Sequence, residues 1–171
     1  MDKTYFEITR QYKMLEKTIA CVESQKEALR EFYLAKKPKS IVFIGSGSSY
    51  YLSQSAEIIA RTQYGISSSS IPAGDAMVNF KANKKAFEGS MVVAISRSGN
   101  TTEILKTVND MKNEFGISSV GITCVEDSEL GRIADLCIKM PWAFDESVCQ
   151  TRSVVNLYAA NLLILAYLSN D

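Results

Sequence analysis

The 171-residue chain contains no histidine. That absence excludes Ser-His-Asp and Cys-His catalysis within the chain, HExxH metal sites and Cys/His zinc fingers. Nor does the chain carry an excess of charge of either sign. Nineteen Lys and Arg balance nineteen Asp and Glu, so no whole-molecule field draws it to DNA, RNA or an acidic membrane, and any anion must be held locally. Cys21, Cys124, Cys137 and Cys149 form no CxxC pair; widely spaced among apolar or helix-like neighbours, they read as reduced packing residues of a cytoplasmic protein. No apolar run reaches the ~20 residues of a membrane span. The longest, Leu157 to Leu168, is broken by Asn161 and reads as a buried helix. Met1 to Arg10 carries charges throughout with no apolar centre, which argues against a signal peptide. Neither a metal nor a cofactor is expected.

What is present is ordinary in amount, 46% apolar and 22% charged residues, and such a chain can bury one full-sized core. From Tyr5 to Leu34, Phe6, Ile8, Tyr12, Leu15, Ile19, Val22, Leu29 and Phe32 recur at three- and four-residue steps. That is the helical period, and it predicts one long helix or two in line. Lys36-Lys37-Pro38-Lys39 closes this leader, because proline cannot continue a helix and lysines favour its carboxyl end.

Ser40-Ile-Val-Phe-Ile-Gly45 is then a short continuous apolar run, the mark of a strand covered on both faces. Similar runs return at Met91–Ser96, Ser119–Thr123 and, more weakly, Leu136–Met140, with helical patterns at Tyr51–Tyr64, Thr102–Phe115, Glu129–Ala134 and Thr151–Leu168 between and after them. Ile66-Ser-Ser-Ser-Ser-Ile71 reads as an edge or second strand, with low-complexity linker as the alternative. Alternating strands and helices predict an α/β fold, a three-layer sandwich with helices on both faces of a five-stranded, mainly parallel sheet. The leader occupies residues 1–38 and the α/β domain 39–171, with no internal repeat and no linker. Ligands of such sheets sit where strands pass into helices.

Two loops of that kind carry hydroxyls. Gly45-Ser46-Gly47-Ser48-Ser49-Tyr50 follows the first strand, and its serines fall where a helix begins. The third glycine of GxGxxG is missing and no acidic residue ends the second strand, so a dinucleotide is disfavoured; without Gly-Lys-Ser/Thr, a Walker A loop is excluded. Ser96-Arg97-Ser98-Gly99-Asn100-Thr101 follows the Met91 strand and again runs into a helix. Its hydroxyls, with the open amides and dipole of a helix start, suit a tetrahedral dianion; alternatively Ser, Asn or Thr there is only a cap.

These residues resemble the sugar isomerase (SIS) domain, whose second loop reads Ser-x-Ser-Gly-x-Thr. Glu146-Ser-Val-Cys-Gln-Thr-Arg152 is similar to a stretch of AgaS-like ketose/aldose isomerases and of the isomerase half of glucosamine-6-phosphate synthase. Phe6-Glu-Ile-Thr-Arg-Gln11 resembles the opening of the two-domain AgaS-like enzymes. The resemblance implies a flavodoxin-like fold that binds a sugar phosphate, with Gly47, Ser48, Ser49, Ser96, Arg97, Ser98, Gly99 and Thr101 around the phosphate and sugar oxygens. It places Glu146 on the family's catalytic glutamate, which moves a proton between C1 and C2 of the open-chain sugar. A carboxylate suits that task; the alternative for Glu146 is a carboxylate favoured by the dipole of the last helix.

The sequence departs from the pattern in two ways. Arg97 replaces the synthase's glutamine and either adds a fork to the phosphate or points to solvent. The histidine that opens the sugar ring in the synthase, and a lysine near the end of its second SIS domain, have no counterpart. A neighbouring subunit therefore completes the site as a homodimer, or the chain is the first of two tandem SIS domains, which the AgaS-like architecture favours. The implied function is an aldose–ketose isomerase or deaminase of a sugar phosphate or amino sugar phosphate. The alternative is a non-catalytic sugar-phosphate sensor, although the mixed-charge leader shows no helix-turn-helix.

Overall fold

The computed structural model describes residues 2–169. The leader is two helices in line, α1 (Lys3–Ser24) and α2 (Lys26–Lys36), broken at Gln25, whose backbone N–H turns back to Val22 and Glu23. Then follow β1 (Ser40–Gly45), α3 (Ser48–Gln63), β2 (Ser68–Pro72), α4 (Ala73–Val78), α5 (Lys84–Phe87), β3 (Ser90–Ser96), α6 (Thr102–Phe115), β4 (Ser118–Thr123), α7 (Glu129–Ile133), β5 (Leu136–Lys139), a 3-10 turn at Pro141–Ala143 and α8 (Arg152–Leu168).

All five strands are parallel, in the order β2-β1-β3-β4-β5. Period-two alternation divides them between two cores. Ile41, Phe43, Met91, Val93 and Ile95 face α1, α2, α3 and α8, while Val42, Ile44, Val92 and Ala94 face α4 to α7. Every residue of β3 is buried. The strands therefore read as continuous apolar runs, because each face of the sheet has its own helical cover.

The serine run is the edge strand β2, and its hydroxyls are used: Ser68 donates to the Glu57 carbonyl at 3.0 Å and Ser70 to the Glu57 carboxylate at 2.6 Å, tying the strand to α3. The leader packs into the same core through Val22 and Leu29. Between α1 and α8, Thr18 donates to Asn156 Oδ1 at 2.6 Å and accepts from Trp142 Nε1 at 3.0 Å, so its buried hydroxyl is satisfied on both counts. One expectation fails: Cys149 is no packing residue but is exposed in the loop before α8, although Cys124 is buried as expected.

No helix among the described residues is long and apolar enough to cross a membrane. The chain passes from β1 outward to β2 and then back across to β3, so the order reverses between β1 and β3. Their carboxyl ends form the crevice where open α/β sheets receive ligands.

Candidate functional site

At the end of β1, Gly47 (φ +56) starts α3 without any side-chain cap. Ser48 is exposed there and Ser49 buried. At the end of β3, the loop folds on itself: Ser96 Oγ accepts from Gly99 N at 3.0 Å and lies 3.0 Å from Thr101 Oγ1, and Ser98 Oγ accepts from Asn100 N at 3.2 Å. Gly99 has φ +63 and sits against Ser128 and Thr123, a conformation and a closeness that a side chain cannot share. The loop is fastened from outside as well. Its Arg97 carbonyl accepts from Cys124 N at 2.9 Å, its Gly99 carbonyl from Leu130 N at 2.9 Å, and Asn100 Oδ1 from Glu129 N at 3.0 Å. Thr101 begins α6 with no side-chain cap, leaving the first-turn amides open toward the crevice.

The segment between the 3-10 turn and α8 has no regular structure, and three carboxylates shape it. Asp145, with its side chain fully buried, accepts from Thr151 N at 3.0 Å, Ser153 N at 3.1 Å and the Ser153 hydroxyl. It serves α8 as the helix-start carboxylate, a role the sequence offered to its neighbour. Glu146 instead directs an exposed carboxylate to Lys3 Nζ at 3.2 Å. Glu7, from the leader and only 2% exposed, accepts from Glu146 N at 2.7 Å, Ser147 N at 3.3 Å and the Ser147 hydroxyl.

Arg152 completes this group. It donates to the Phe144 carbonyl through Nε (3.1 Å) and Nη2, and lies 3.7 Å from Asp145 and 3.8 Å from Glu7. Burial by itself raises the Glu7 carboxyl. The bonds from Ser147 and Glu146 and the Arg152 charge outweigh it and hold the group below the ordinary glutamate value. Behind the segment, burial pushes the Cys124 thiol up to about 12, with the Asp145 charge adding to the effect.

Two contacts join the three segments. Ser48 Oγ donates to Gln150 Oε1 at 3.2 Å. The Arg97 guanidinium lies 5.3 Å over the Phe144 ring. It thus turns inward and not to solvent, and its Nη1 is buried without a partner. A cleft of about 360 Å³ opens between α1 and this segment, lined by Lys3, Phe6, Glu7, Glu146 and Arg152. Another, of about 270 Å³, opens at the ends of β1 and β2 beside Ser46, Gly47 and Glu103.

The sequence matches the SIS domain over residues 33–167. The chain belongs to the SIS domain family. Within it, the phosphoheptose isomerase of Aneurinibacillus thermoaerophilus is 43% identical over 54 residues, 32% of this chain and 27% of that protein. A glutamine–fructose-6-phosphate aminotransferase (isomerizing) of Sulfurisphaera tokodaii is 29% identical over 138 residues, 80% of this chain and 22% of that protein. The crystal structure of tagatose-6-phosphate ketose/aldose isomerase from Escherichia coli superposes with a TM-score of 0.84 at 20% identity, over 96% of this chain and 48% of that one. The matched stretches cover about a quarter of these curated relatives and about half of the solved one.

Sequence reasoning missed Asp145, Gln150 and Arg152 as organisers of the SIS crevice. It singled out the leader segment containing Glu7 but assigned that residue no role. The one local signal for Asp145 is the Thr151-Arg152-Ser153 helix start that follows it, hydroxyls whose amides call for a nearby acceptor.

Proposed function

We propose that this SIS domain binds a sugar phosphate or amino sugar phosphate for an aldose–ketose isomerase or deaminase. One observation carries the reading: the open amino end of α6 and the exposed Glu146 carboxylate stand on segments tied together by the Ser48–Gln150 bond and the Arg97–Phe144 contact. In this reading the anion holder and the base act on one bound sugar. The phosphate lies over the α6 start, held by the amides and by the Ser98 and Thr101 hydroxyls, with Ser48 and Ser49 toward the sugar. The buried, unpartnered Arg97 Nη1 adds positive charge. Ser96, 2% exposed, shapes the loop through Gly99 N more than it meets ligand. Glu146 takes the proton at one carbon of the open-chain sugar and returns it to the next.

The same proposal gives the chain a cytoplasmic location, in keeping with its unpaired thiols, and reads residues 39–171 as the first of two tandem SIS domains, or else half of a homodimer. Tyr5, Ile8, Tyr12 and Ile19 along α1, with Val155 and Tyr158 on α8, are exposed apolar positions that such a second domain would cover.

The test is exchange of the proton beside the carbonyl in deuterated water, at C1 of fructose 6-phosphate and at C2 of glucosamine 6-phosphate, followed by NMR. Glu146→Gln keeps sugar-phosphate affinity and lowers exchange by the ~10²–10⁴ that positioned acid–base catalysis supplies. Ser98→Ala with Thr101→Val weakens binding by about 2–4 kcal/mol. A parent protein that binds these sugars with no exchange would leave the sensor reading in place of the enzyme, and a Glu146→Gln variant as fast as an active parent would take the base role from Glu146.

A further inference from the structure

Glu146 sits in a segment with no helix or strand to hold it, two residues before Val148, which is 97% exposed. A base that must meet one carbon and then its neighbour needs a fixed origin. Its backbone is fixed from the far end of the chain: Glu7 Oε1 accepts from Glu146 N at 2.7 Å and from Ser147 N at 3.3 Å, and Glu7 Oε2 accepts from the Ser147 hydroxyl. Arg152, its own side chain 14% exposed, stands 3.8 Å from the same carboxylate. One turn earlier on α1, Lys3 reaches the Glu146 side chain at 3.2 Å. The first two turns of the leader thus hold both the backbone and the carboxylate of Glu146.

We propose that Glu7 is a positioning residue for Glu146, through which the leader helix sets the place of the catalytic carboxylate. The inference rests on the proton-transfer role given to Glu146 above. A buried carboxylate does this better than a neutral side chain: it accepts three donors at once, and its charge is compensated by Arg152. Its position on α1, a helix of 22 residues packed along α8, gives the unstructured segment the rigidity of a regular element. A leader displaced by a partner would carry Glu146 with it.

Two readouts on the full-length protein separate this proposal from the reading it rests on. Hydrogen exchange of the Glu146 and Ser147 amides reports the anchor directly, whatever the chemistry. In Glu7→Gln these amides should exchange faster by roughly tenfold or more, the factor for loss of a hydrogen bond to a charged group, while those of β3 stay protected. With fructose 6-phosphate, kcat for C1-proton exchange should fall ~10–10²-fold, as for a misplaced catalytic group, and KM should stay within about twofold because the α6 start is untouched.

Ser147→Ala removes the hydroxyl's contacts with Glu7 and with the Cys149 carbonyl and leaves both backbone bonds to Glu7. It should lie between parent and Glu7→Gln in both readouts, and it carries the test if Glu7→Gln does not fold. Unchanged amide exchange in these variants overturns the anchor. Faster amide exchange with unchanged kcat, or a loss confined to KM, overturns the positioning role. If Glu146→Gln itself retains full exchange, the catalytic reading fails on that variant alone, and the positioning role falls with it.

Discussion

Replacing Gly99 by alanine isolates how tightly the β3–α6 loop is set. At φ +63, a Cβ on residue 99 would stand 2.5 Å from Ser128 Oγ and 2.6 Å from Thr123 Oγ1. Both hydroxyls are in use: Ser128 Oγ caps α7 by accepting from Gly131 N at 3.2 Å, and Thr123 Oγ1 donates to the Arg97 carbonyl at 3.3 Å. The left-handed backbone costs an alanine about 1–2 kcal/mol. Forcing the neighbours apart adds about 1–3 kcal/mol, so the variant should lose roughly 2–5 kcal/mol altogether. Gly116 supplies the control. It ends α6 at φ +64, and a methyl group there would meet nothing within 4 Å, so Gly116→Ala bears only the backbone cost, about 1–2 kcal/mol. Both variants share the reduced entropy of the unfolded chain, which cancels in their difference. Urea denaturation followed by circular dichroism measures each, with unchanged slope as the sign that the unfolded state is the same. Equal losses in the two, within about 0.5 kcal/mol, would refute the claim that the loop is pressed onto Ser128 and Thr123.

Acid should act through Glu7. Its carboxyl lies below the ordinary 4.5 when folded, so its stabilisation is complete above that pH and is lost as pH falls through the lower folded value; Glu7→Gln should flatten the decline of the urea midpoint below about pH 4.5, and an unchanged decline would contradict the assignment. Thiol titration at pH 8 with a disulfide reagent should find Cys149 fast and Cys124 silent until unfolding, since one is exposed and the other is buried with its thiol pushed up to about 12; a fast phase that survives Cys149→Ser would refute this. Light scattering of the isolated 18.9 kDa chain at micromolar concentration should give twice that mass, driven by the exposed apolar residues of α1 and α8; a monomer counts against the proposed self-association.

Much of the architecture is local information. The apolar runs Ser40–Gly45 and Met91–Ser96 declare themselves as strands because a parallel sheet is covered on both faces, and no polar alternation interrupts them. Helix α6 starts and stops where its pattern does, at Thr102 and Phe115, since its cap glycine and apolar stripe are read within one segment. The hydroxyl-rich loops are legible for the same reason, being short motifs at strand ends. The four serines before Ile71 are open to two readings in the sequence, and only the backbone pairing with β1, fastened by the bonds to Glu57, decides for a strand.

Polar pairing at the crevice is not legible in this way. Asp145 and Glu146 are adjacent and chemically alike, yet one is buried under α8 and the other exposed beside Lys3. Which of them serves the helix depends on how the segment leaves the 3-10 turn, a matter of packing. Glu7 and Glu146 lie 139 residues apart in the chain, and no period or spacing connects them. Composition and hydrophobic period determined the layers and the order of the elements, because burial of apolar faces acts through local repeats. Tertiary structure alone decided which carboxylates are held, by what and facing where, because a buried charge is set by partners that the fold brings from elsewhere in the chain.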